Sequence, residues 1–99
     1  MLTIKKTLEN GAAVISPEGR LDTVTAPEME SAIKELLPGL KSLTLDLSGL
    51  EYISSAGLRV LLSAQKVMNS QGEMKVTNVN ETIAEIFEVT GFSDILTIE

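Results

Sequence analysis

The alternation of apolar and polar residues at the start of the chain predicts a β-hairpin. Apolar residues recur at nearly every second position of the first stretch, the period of a strand with one buried face: Leu2, Ile4 and Leu8. Asn10-Gly11 tolerates the positive φ angles of a tight turn. A second strand, antiparallel to the first, is expected from Ala12 to Ser16, where Pro17-Glu18-Gly19 ends or bends it.

Two long segments show the three- and four-residue spacing of amphipathic helices. The first helix is predicted to begin with the capping box Thr25-Ala26-Pro27-Glu28 and to stop at Pro38-Gly39. The second is predicted to begin at Ser54 or Ser55 and to continue to the neighbourhood of Ser70. Both carry one apolar stripe, which indicates that each packs one side against a core.

Short strands and a third helix complete the pattern. Apolar residues alternate with polar ones over residues 42–47, which predicts a third strand, and a fourth follows over residues 74–79. Asn80 is expected to be the N-cap of the third helix, which closes at Thr90-Gly91. A short last strand is predicted over residues 95–98.

The resulting order is ββαβαβαβ, which favours an α/β fold. Strands that alternate with helices form parallel sheets through right-handed crossovers. We therefore predict one layered domain over residues 1–99, with a mixed, mostly parallel sheet and the hairpin as an antiparallel edge. In such sheets the loops after the carboxyl ends of the strands carry function. Three loops qualify, over residues 19–25, 47–54 and 78–80.

The composition excludes several classes of function. The 99 residues include no cysteine and no histidine, which removes disulfides, thiolate catalysis, phosphohistidine chemistry and the commonest transition-metal ligand. A formal charge of −6 repels nucleic acid, and one tyrosine with two phenylalanines gives no base-stacking surface. No apolar run is long enough to cross a membrane, and no signal pattern is visible. We expect a cytoplasmic protein with no nucleic-acid or membrane partner.

The loops carry no recognisable catalytic arrangement. The sequence has no glycine-rich phosphate-binding loop and no dinucleotide fingerprint, and a Ser–His–Asp triad is impossible without histidine. Asp46 lies where a response-regulator receiver has its aspartate, but the acidic pair and the lysine of such a domain are lacking. Asp46 is therefore interpreted as a hydrogen-bonding residue at a strand end. We expect no catalytic residue, no metal ligand and no cofactor.

The tetrad Ser54-Ser55-Ala56-Gly57 marks the start of the second helix. Serine is a favoured N-cap, so capping alone can explain both hydroxyls. Glycine in a first helical turn costs about 0.8–1 kcal/mol relative to alanine, and together with Ala56 it forms a low surface that suits docking of a partner. A phosphate would add a charge of about −1.5 to −2, which the free N–H groups of a helix start tolerate. Two interpretations remain: two capping serines, or a phosphorylation switch at Ser55.

The stretch from Asp46 to Leu62, which includes this tetrad, resembles the signature of bacterial anti-sigma-factor antagonists, also called STAS domains. Gly19-Arg20-Leu21-Asp22 followed by Thr25-Ala26 is similar to the other marked segment of that family. Gly72-Glu73-Met74 and Val89-Thr90-Gly91-Phe92 also fit, so the resemblance covers nearly the whole chain.

The resemblance implies a non-enzymatic partner switch. Members of this family bind an anti-sigma factor that is also a serine protein kinase, and so free the sigma factor. The kinase uses ATP to phosphorylate one serine at the start of the second helix, which abolishes binding, and a metal-dependent serine phosphatase of the PP2C type restores it. The family position lies two residues before the helix glycine, which is Ser55 here. Ser54 occupies a position where many members have aspartate, and it is the less favoured site.

The resemblance also implies a partner-binding face. Asp22 and Thr23 are expected on the same face as the tetrad, although an ordinary turn role explains Asp22 equally well. Arg59 is interpreted either as a solvated helix residue or as a partner contact. The alternative function is that of a STAS-like scaffold or sensor module that is never phosphorylated and works within a larger signalling complex. A small enzyme or nucleotide hydrolase is the least favoured class.

Overall fold

The computed structural model describes residues 2–99 and contains five strands and three α-helices in that range. In chain order these are β1 (Leu2–Glu9), β2 (Ala12–Leu21), α1 (Ala26–Leu36), β3 (Ser42–Asp46), β4 (Leu50–Ile53), α2 (Ser55–Gln71), β5 (Glu73–Thr77), α3 (Glu81–Thr90) and a short 3-10 turn (Phe92–Asp94).

The five strands form one mixed sheet. Their order is β1-β2-β3-β5, and β4 also pairs with β2. β1 and β2 are antiparallel, with Leu2 opposite Gly19 and Glu9 opposite Ala12. The three remaining pairs, β2 with β3, β2 with β4 and β3 with β5, are parallel. The predicted α/β fold, with a mostly parallel sheet and an antiparallel edge, is therefore confirmed.

β2 is longer than the sequence pattern predicts because two parallel strands share its length. Its first part, residues 12–15, pairs with β3, and its last part, residues 19–21, pairs with β4. Pro17 lies between these two parts, where no parallel strand is paired with it, so its missing N–H is tolerated. The predicted bound at Ser16 is therefore too early: of the two alternatives for Pro17-Glu18-Gly19, ending the strand is wrong, because β2 continues to Leu21. Residues 50–53, predicted as loop, form β4 instead.

The predicted last strand over residues 95–98 is not formed. The 3-10 turn precedes it, and Ile98 makes only an isolated bridge to Val76 within the described residues. The Val76 N–H donates to the Thr97 carbonyl at 2.8 Å, and the Glu99 N–H donates to the Val76 carbonyl at 2.9 Å. Two hydrogen bonds fasten the C-terminal segment to β5 without extending the sheet.

The second and third helices begin where the sequence predicts. Ser54 is the N-cap of α2, and Asn80 is the N-cap of α3, with its side-chain oxygen accepting the Ile83 N–H at 2.9 Å. The amide nitrogen of Asn80 donates to the Leu50 carbonyl at 2.7 Å, which ties the start of α3 to β4. Gly91 ends α3 with a φ of 82°, the left-handed conformation that glycine adopts without strain.

The apolar core lies on one face of the sheet. Leu43 and Leu45 on β3 are fully buried, whereas the residues that alternate with them are partly exposed. Met74 and Val76 repeat this pattern on β5. The alternation indicates that the helices cover one face and that the other remains partly open to solvent.

Gly57 lets the first turn of α2 lie directly on β2 and β4. A Cβ at this position would come within 2.8 Å of Ile53 Cγ1 and of Leu21 Cγ, and within 3.0 Å of the Leu21 carbonyl oxygen. Real Cβ atoms do not approach neighbours at 2.8 Å, so any side chain would push the helix away from the two strands. The glycine therefore permits close packing that no other residue would allow, despite its low helix propensity.

We expect Gly57→Ala to lower the free energy of unfolding by about 1–2 kcal/mol, because overpacking costs more than the gain in helix propensity returns. Denaturant unfolding monitored by circular dichroism measures this change. Ser63→Ala, an exposed substitution on the same helix, is the control and should stay within about 0.5 kcal/mol of the original chain. A Gly57→Ala variant as stable as the original would contradict the packing argument.

Candidate functional site at the start of α2

The carboxyl ends of β2 and β4 bring the turn before α1 next to the start of α2. β2 and β4 are parallel neighbours, with Leu21 opposite Ile53. The Ser54 N–H donates to the Leu21 carbonyl at 2.9 Å. Two loops that the sequence singles out, over residues 19–25 and 47–54, therefore meet at one edge of the sheet, as expected for a parallel arrangement.

The two serines of the tetrad have different roles in the structure. Ser54 has an extended backbone, and its Oγ accepts the Gly57 N–H at 3.3 Å, so its side chain caps α2. Ser55 is the first residue of the helix and is exposed, and no hydrogen bond of its hydroxyl is found among the described residues. Capping therefore accounts for Ser54 and leaves the hydroxyl of Ser55 unused.

Asp22 holds the turn between β2 and α1 in a fixed conformation. Its Oδ1 accepts the backbone N–H groups of Val24 and Thr25, each at 3.0 Å. The Thr25 N–H bond contributes most to lowering the pKa of Asp22 below its usual value of 3.8, since these donors favour the ionised carboxylate. The structural role that the sequence allows for Asp22, that of a turn residue, is present.

Thr25 closes the same turn and does not form the predicted capping box. Its Oγ1 donates to the Arg20 carbonyl at 2.8 Å and accepts the Asp22 N–H at 2.8 Å. Thr25 is buried, with only 4% of its surface accessible to solvent. The Glu28 N–H bonds instead to the Thr25 carbonyl at 3.0 Å, and Thr25 makes no side-chain cap. The capping-box prediction is wrong because the hydroxyl is used to fasten the turn to β2.

Val24 is a residue of this turn that the sequence analysis missed. Its side chain is 82% exposed, the largest fraction among the large apolar residues of the described chain. The Asp22 carboxylate fixes its backbone, so an apolar side chain is presented to solvent by a structured turn. A β-branched residue between an aspartate and a helix start is the only sequence signal, and it is weak because many such residues turn inward.

A shallow groove of about 220 Å³ runs between the first turns of α1 and α2. Three of the predicted partner-binding residues, Thr23, Ala56 and Arg59, line it, together with residues of α1 that include Glu30. Thr23 and Arg59 are exposed, and Ala56 is half-buried. The structure thus brings these three residues together beside Ser55.

Gly57 differs from the other members of the predicted face. It is buried, and a Cβ at this position would face Leu21 and Ile53, so Gly57 does not belong to the exposed surface. The sequence-based interpretation of Gly57 as part of a low docking surface is corrected: the glycine is needed for contact within the domain. Its effect on the surface is indirect, through the position of α2.

The other arginine of the chain, Arg20, lies near the carboxyl ends of these strands. The Arg20 guanidinium carbon stands 4.4 Å from the ring centroid of Tyr52, and these residues are register partners on β2 and β4. This cation–π contact links the end of β2 to β4, the strand that leads to Ser54.

Asp46 has the structural role that the sequence predicts for it. Its Oδ1 accepts the Ser48 N–H at 3.1 Å and the Asn78 side-chain amide at 3.1 Å. The Ser48 N–H, followed by Asn78, lowers the pKa of Asp46 below its usual value of 3.8. Among residues 2–99 no group of three acidic side chains is placed to hold a metal ion. None of the helices in this range has the length and hydropathy of a transmembrane segment.

Comparison with known proteins places this geometry in a family. The sequence model of the STAS domain matches residues 3–99. The chain belongs to the STAS family. This agrees with the resemblance that the stretch from Asp46 to Leu62 carries.

Individual relatives of this STAS domain have regulatory names. BtrV of Bordetella bronchiseptica, named provisionally as an anti-sigma factor antagonist, is 33% identical over 90% of this chain and 78% of its own length. The anti-sigma-B factor antagonist of Listeria monocytogenes is 32% identical over 82% of this chain and 73% of its own. A crystal structure of an anti-sigma factor antagonist from Mycobacterium paratuberculosis superposes with a TM-score of 0.90 at 25% identity, covering 99% of this chain and 85% of that one. These names describe regulators rather than enzymes, in agreement with the non-enzymatic class that the sequence favours.

We expect the Asp22 turn to loosen in acid. The folded-state pKa of this carboxyl is lowered, so its contribution to folding is complete above the ordinary value of 3.8 and is lost as the pH falls through the lowered pKa. The amide signals of Val24 and Thr25 in NMR spectra should follow this titration, at a pH below 3.8.

Asp22→Ala should abolish the acid-dependent change of these two amides and speed their hydrogen exchange at neutral pH. Asp94→Ala, which removes an exposed carboxylate elsewhere, serves as the control and should leave both amides unchanged. Unaltered exchange in Asp22→Ala would show that the carboxylate does not hold the turn.

Proposed function

We propose that this STAS domain is a cytoplasmic anti-sigma-factor antagonist that is switched off by phosphorylation of Ser55. In its unmodified form it binds an anti-sigma factor that is also a serine protein kinase, and so releases the sigma factor. The kinase transfers a phosphoryl group to Ser55, and a PP2C-type phosphatase removes it. The proposal rests most directly on one observation: the exposed hydroxyl of Ser55 is unused, next to a serine whose hydroxyl caps the helix.

The partner surface in this proposal consists of the turn 22–25, the start of α2 and Arg59. The turn is held by the Asp22 carboxylate and by Thr25, so little conformational entropy is lost when a partner binds it. Thr23, Ala56 and Arg59 surround one groove, which supports a common role for residues from two separate loops. The names of the relatives support an anti-sigma factor as the partner.

A phosphate on Ser55 acts on this surface without unfolding the domain. Ser55 is exposed, so the modified side chain displaces no core residue. Phosphorylation adds a charge of about −1.5 to −2. When the partner covers the surface, water must be removed from this charged group, which costs free energy. The desolvation cost falls on the complex rather than on the free protein, and this difference releases the partner.

The second candidate function is a scaffold or sensor module that is never phosphorylated. The half-open outer face of the sheet and the groove between α1 and α2 are compatible with such a role. A stable complex that ATP does not dissociate would favour this alternative. Ser55 is then an ordinary exposed helix residue.

We expect the purified anti-sigma factor kinase of the host, with ATP, to place one phosphate on Ser55. Peptide mass spectrometry identifies the site. Ser55→Ala should bind the kinase and resist release by ATP, and Ser55→Asp should bind at least tenfold more weakly while its stability stays within about 1 kcal/mol.

Ser54→Ala is the matched control for this experiment. It should lose about 1 kcal/mol of stability with the cap and still be phosphorylated at Ser55. Phosphate found on Ser54 in the original chain, or release of Ser55→Ala by ATP at the normal rate, would refute the assignment.

The exposed side chain of Val24 gives a separate test of the surface. A partner that covers the turn buries this side chain, so Val24→Ser should weaken binding of the unmodified chain by about tenfold, as expected for an apolar group of this size. Calorimetric titration against the same kinase measures the affinity. Val89→Ser is the control, since Val89 is 79% exposed but lies on α3, and it should leave the affinity within twofold. Equal effects of the two substitutions would remove the turn from the interface.

A further inference from the structure

Arg59 lies one helical turn beyond Ser55 on α2, at a spacing that allows the two side chains to meet. Residues four apart on a helix have Cβ atoms about 5–6 Å apart, and an acidic group on the N-terminal side of a basic one is the favourable order. Both residues are exposed, so neither has to leave a packed position to reach the other. Serine and arginine have no charge attraction, whereas phosphoserine and arginine do.

The charge of Arg59 is not used elsewhere in the described part of the chain. Each of the four ion pairs found among residues 2–99 takes its cation from a lysine. α2 itself contains no aspartate or glutamate, so no acidic neighbour on the helix competes for the arginine. Across the groove lies Glu30, whose carboxylate is 3.9 Å from the Lys34 ammonium.

Building on the proposed function, we propose that Arg59 is the intramolecular partner of the phosphate on Ser55. The guanidinium donates hydrogen bonds to the phosphate oxygens in the i, i+4 arrangement along α2. A planar guanidinium with several N–H donors matches phosphate geometry better than a lysine ammonium does. The inference concerns the modified protein, because in the unmodified chain Arg59 remains available to an external partner.

The pair adds a second element to the switch. Arg59 lines the groove between α1 and α2 with Thr23 and Ala56. When its guanidinium turns to the phosphate, the groove loses its free cation at the same time as the helix start gains an anion. A partner group that contacts Arg59 in the unmodified complex therefore loses that contact.

The experiment uses the full chain with phosphoserine installed at position 55 during synthesis, so that it does not depend on a kinase. Phosphorus NMR titration gives the second pKa of the phosphate, which for phosphoserine is ordinarily about 6. We expect this pKa to be about 0.2–0.4 pH units lower in the original chain than in Arg59→Gln, since the arginine favours the dianion. The difference between the two pKa values should be smaller in 1 M salt, because the Debye length is then about 3 Å and the attraction between phosphate and arginine is screened.

Lys66→Gln provides the matched control, because it removes one exposed positive charge from the same helix, about three turns beyond Ser55. It should leave the second pKa close to that of the original chain, and Arg59→Lys should restore most of the lowering. The backbone N–H groups at the helix start act on the phosphate in every variant and so cancel from the comparison. The Arg59 Nε–H signal should also shift across the phosphate titration.

Equal second pKa values in the original chain and in Arg59→Gln would overturn the inference, and so would equal effects of Arg59→Gln and Lys66→Gln. Neither result would contradict the proposed function, which is tested by phosphorylation of Ser55 and release of the partner. A host kinase that leaves Ser55 unmodified would overturn the proposed function and remove the physiological basis of the pair, whatever the titration gives.

Discussion

The close contact of α2 with the ends of β2 and β4 is the constraint on which the candidate site depends. Leu21 takes part in it twice, since its side chain lies beneath Gly57 and its carbonyl accepts the Ser54 N–H. A glycine at this position sacrifices helix propensity so that the backbone can approach the strands. As a result, the turn before α1 and the first turn of α2 keep a fixed relative position, although they are more than thirty residues apart in sequence.

This contact separates structural from regulatory tasks at neighbouring residues. Ser54 is committed to the helix start by its backbone and by its side chain, and Thr25 is committed to the turn in the same way. Ser55, Thr23 and Val24 stand on these fixed residues and face solvent. A chemical change at an exposed position therefore alters what a partner meets while the supporting hydrogen bonds persist. In the proposed function, this separation is what allows repeated cycles of modification without unfolding.

Much of the fold follows from local patterns in the sequence, and the exceptions have identifiable causes. The hairpin, the helices and the mostly parallel sheet are predicted correctly because alternation and helical spacing are strong and their ends are marked by Asn80 and Gly91. β4 escapes prediction because four residues are too few to show a period. β2 is predicted too short because proline commonly ends a strand. Pro17 lies instead between the part of β2 that pairs with β3 and the part that pairs with β4. These features depend on pairings between distant segments, which a local pattern does not contain.

The site shows the same division. That Ser55 is exposed and Ser54 is the cap is consistent with the spacing of the tetrad, which left the two serines open as alternatives. The hidden position of Gly57 and the exposure of Val24 could not be predicted, because each depends on which side of a turn or helix meets another strand. The use of the Thr25 hydroxyl within the turn is likewise decided by the carbonyl of Arg20, five residues earlier on β2.

The distribution of charge on α2 has a consequence for encounters over longer distances. The helix carries Arg59 and Lys66 and no acidic residue, within a chain whose formal charge is −6. The rest of the chain has six basic and fourteen acidic residues, a formal charge of −8, so α2 is a locally positive segment of an acidic domain. In the proposed function, an acidic group on the partner would be attracted to this helix before contact, and association would be faster at low ionic strength. A dianion at the helix start offsets that polarity, so it would hinder productive orientation even before the two molecules touch.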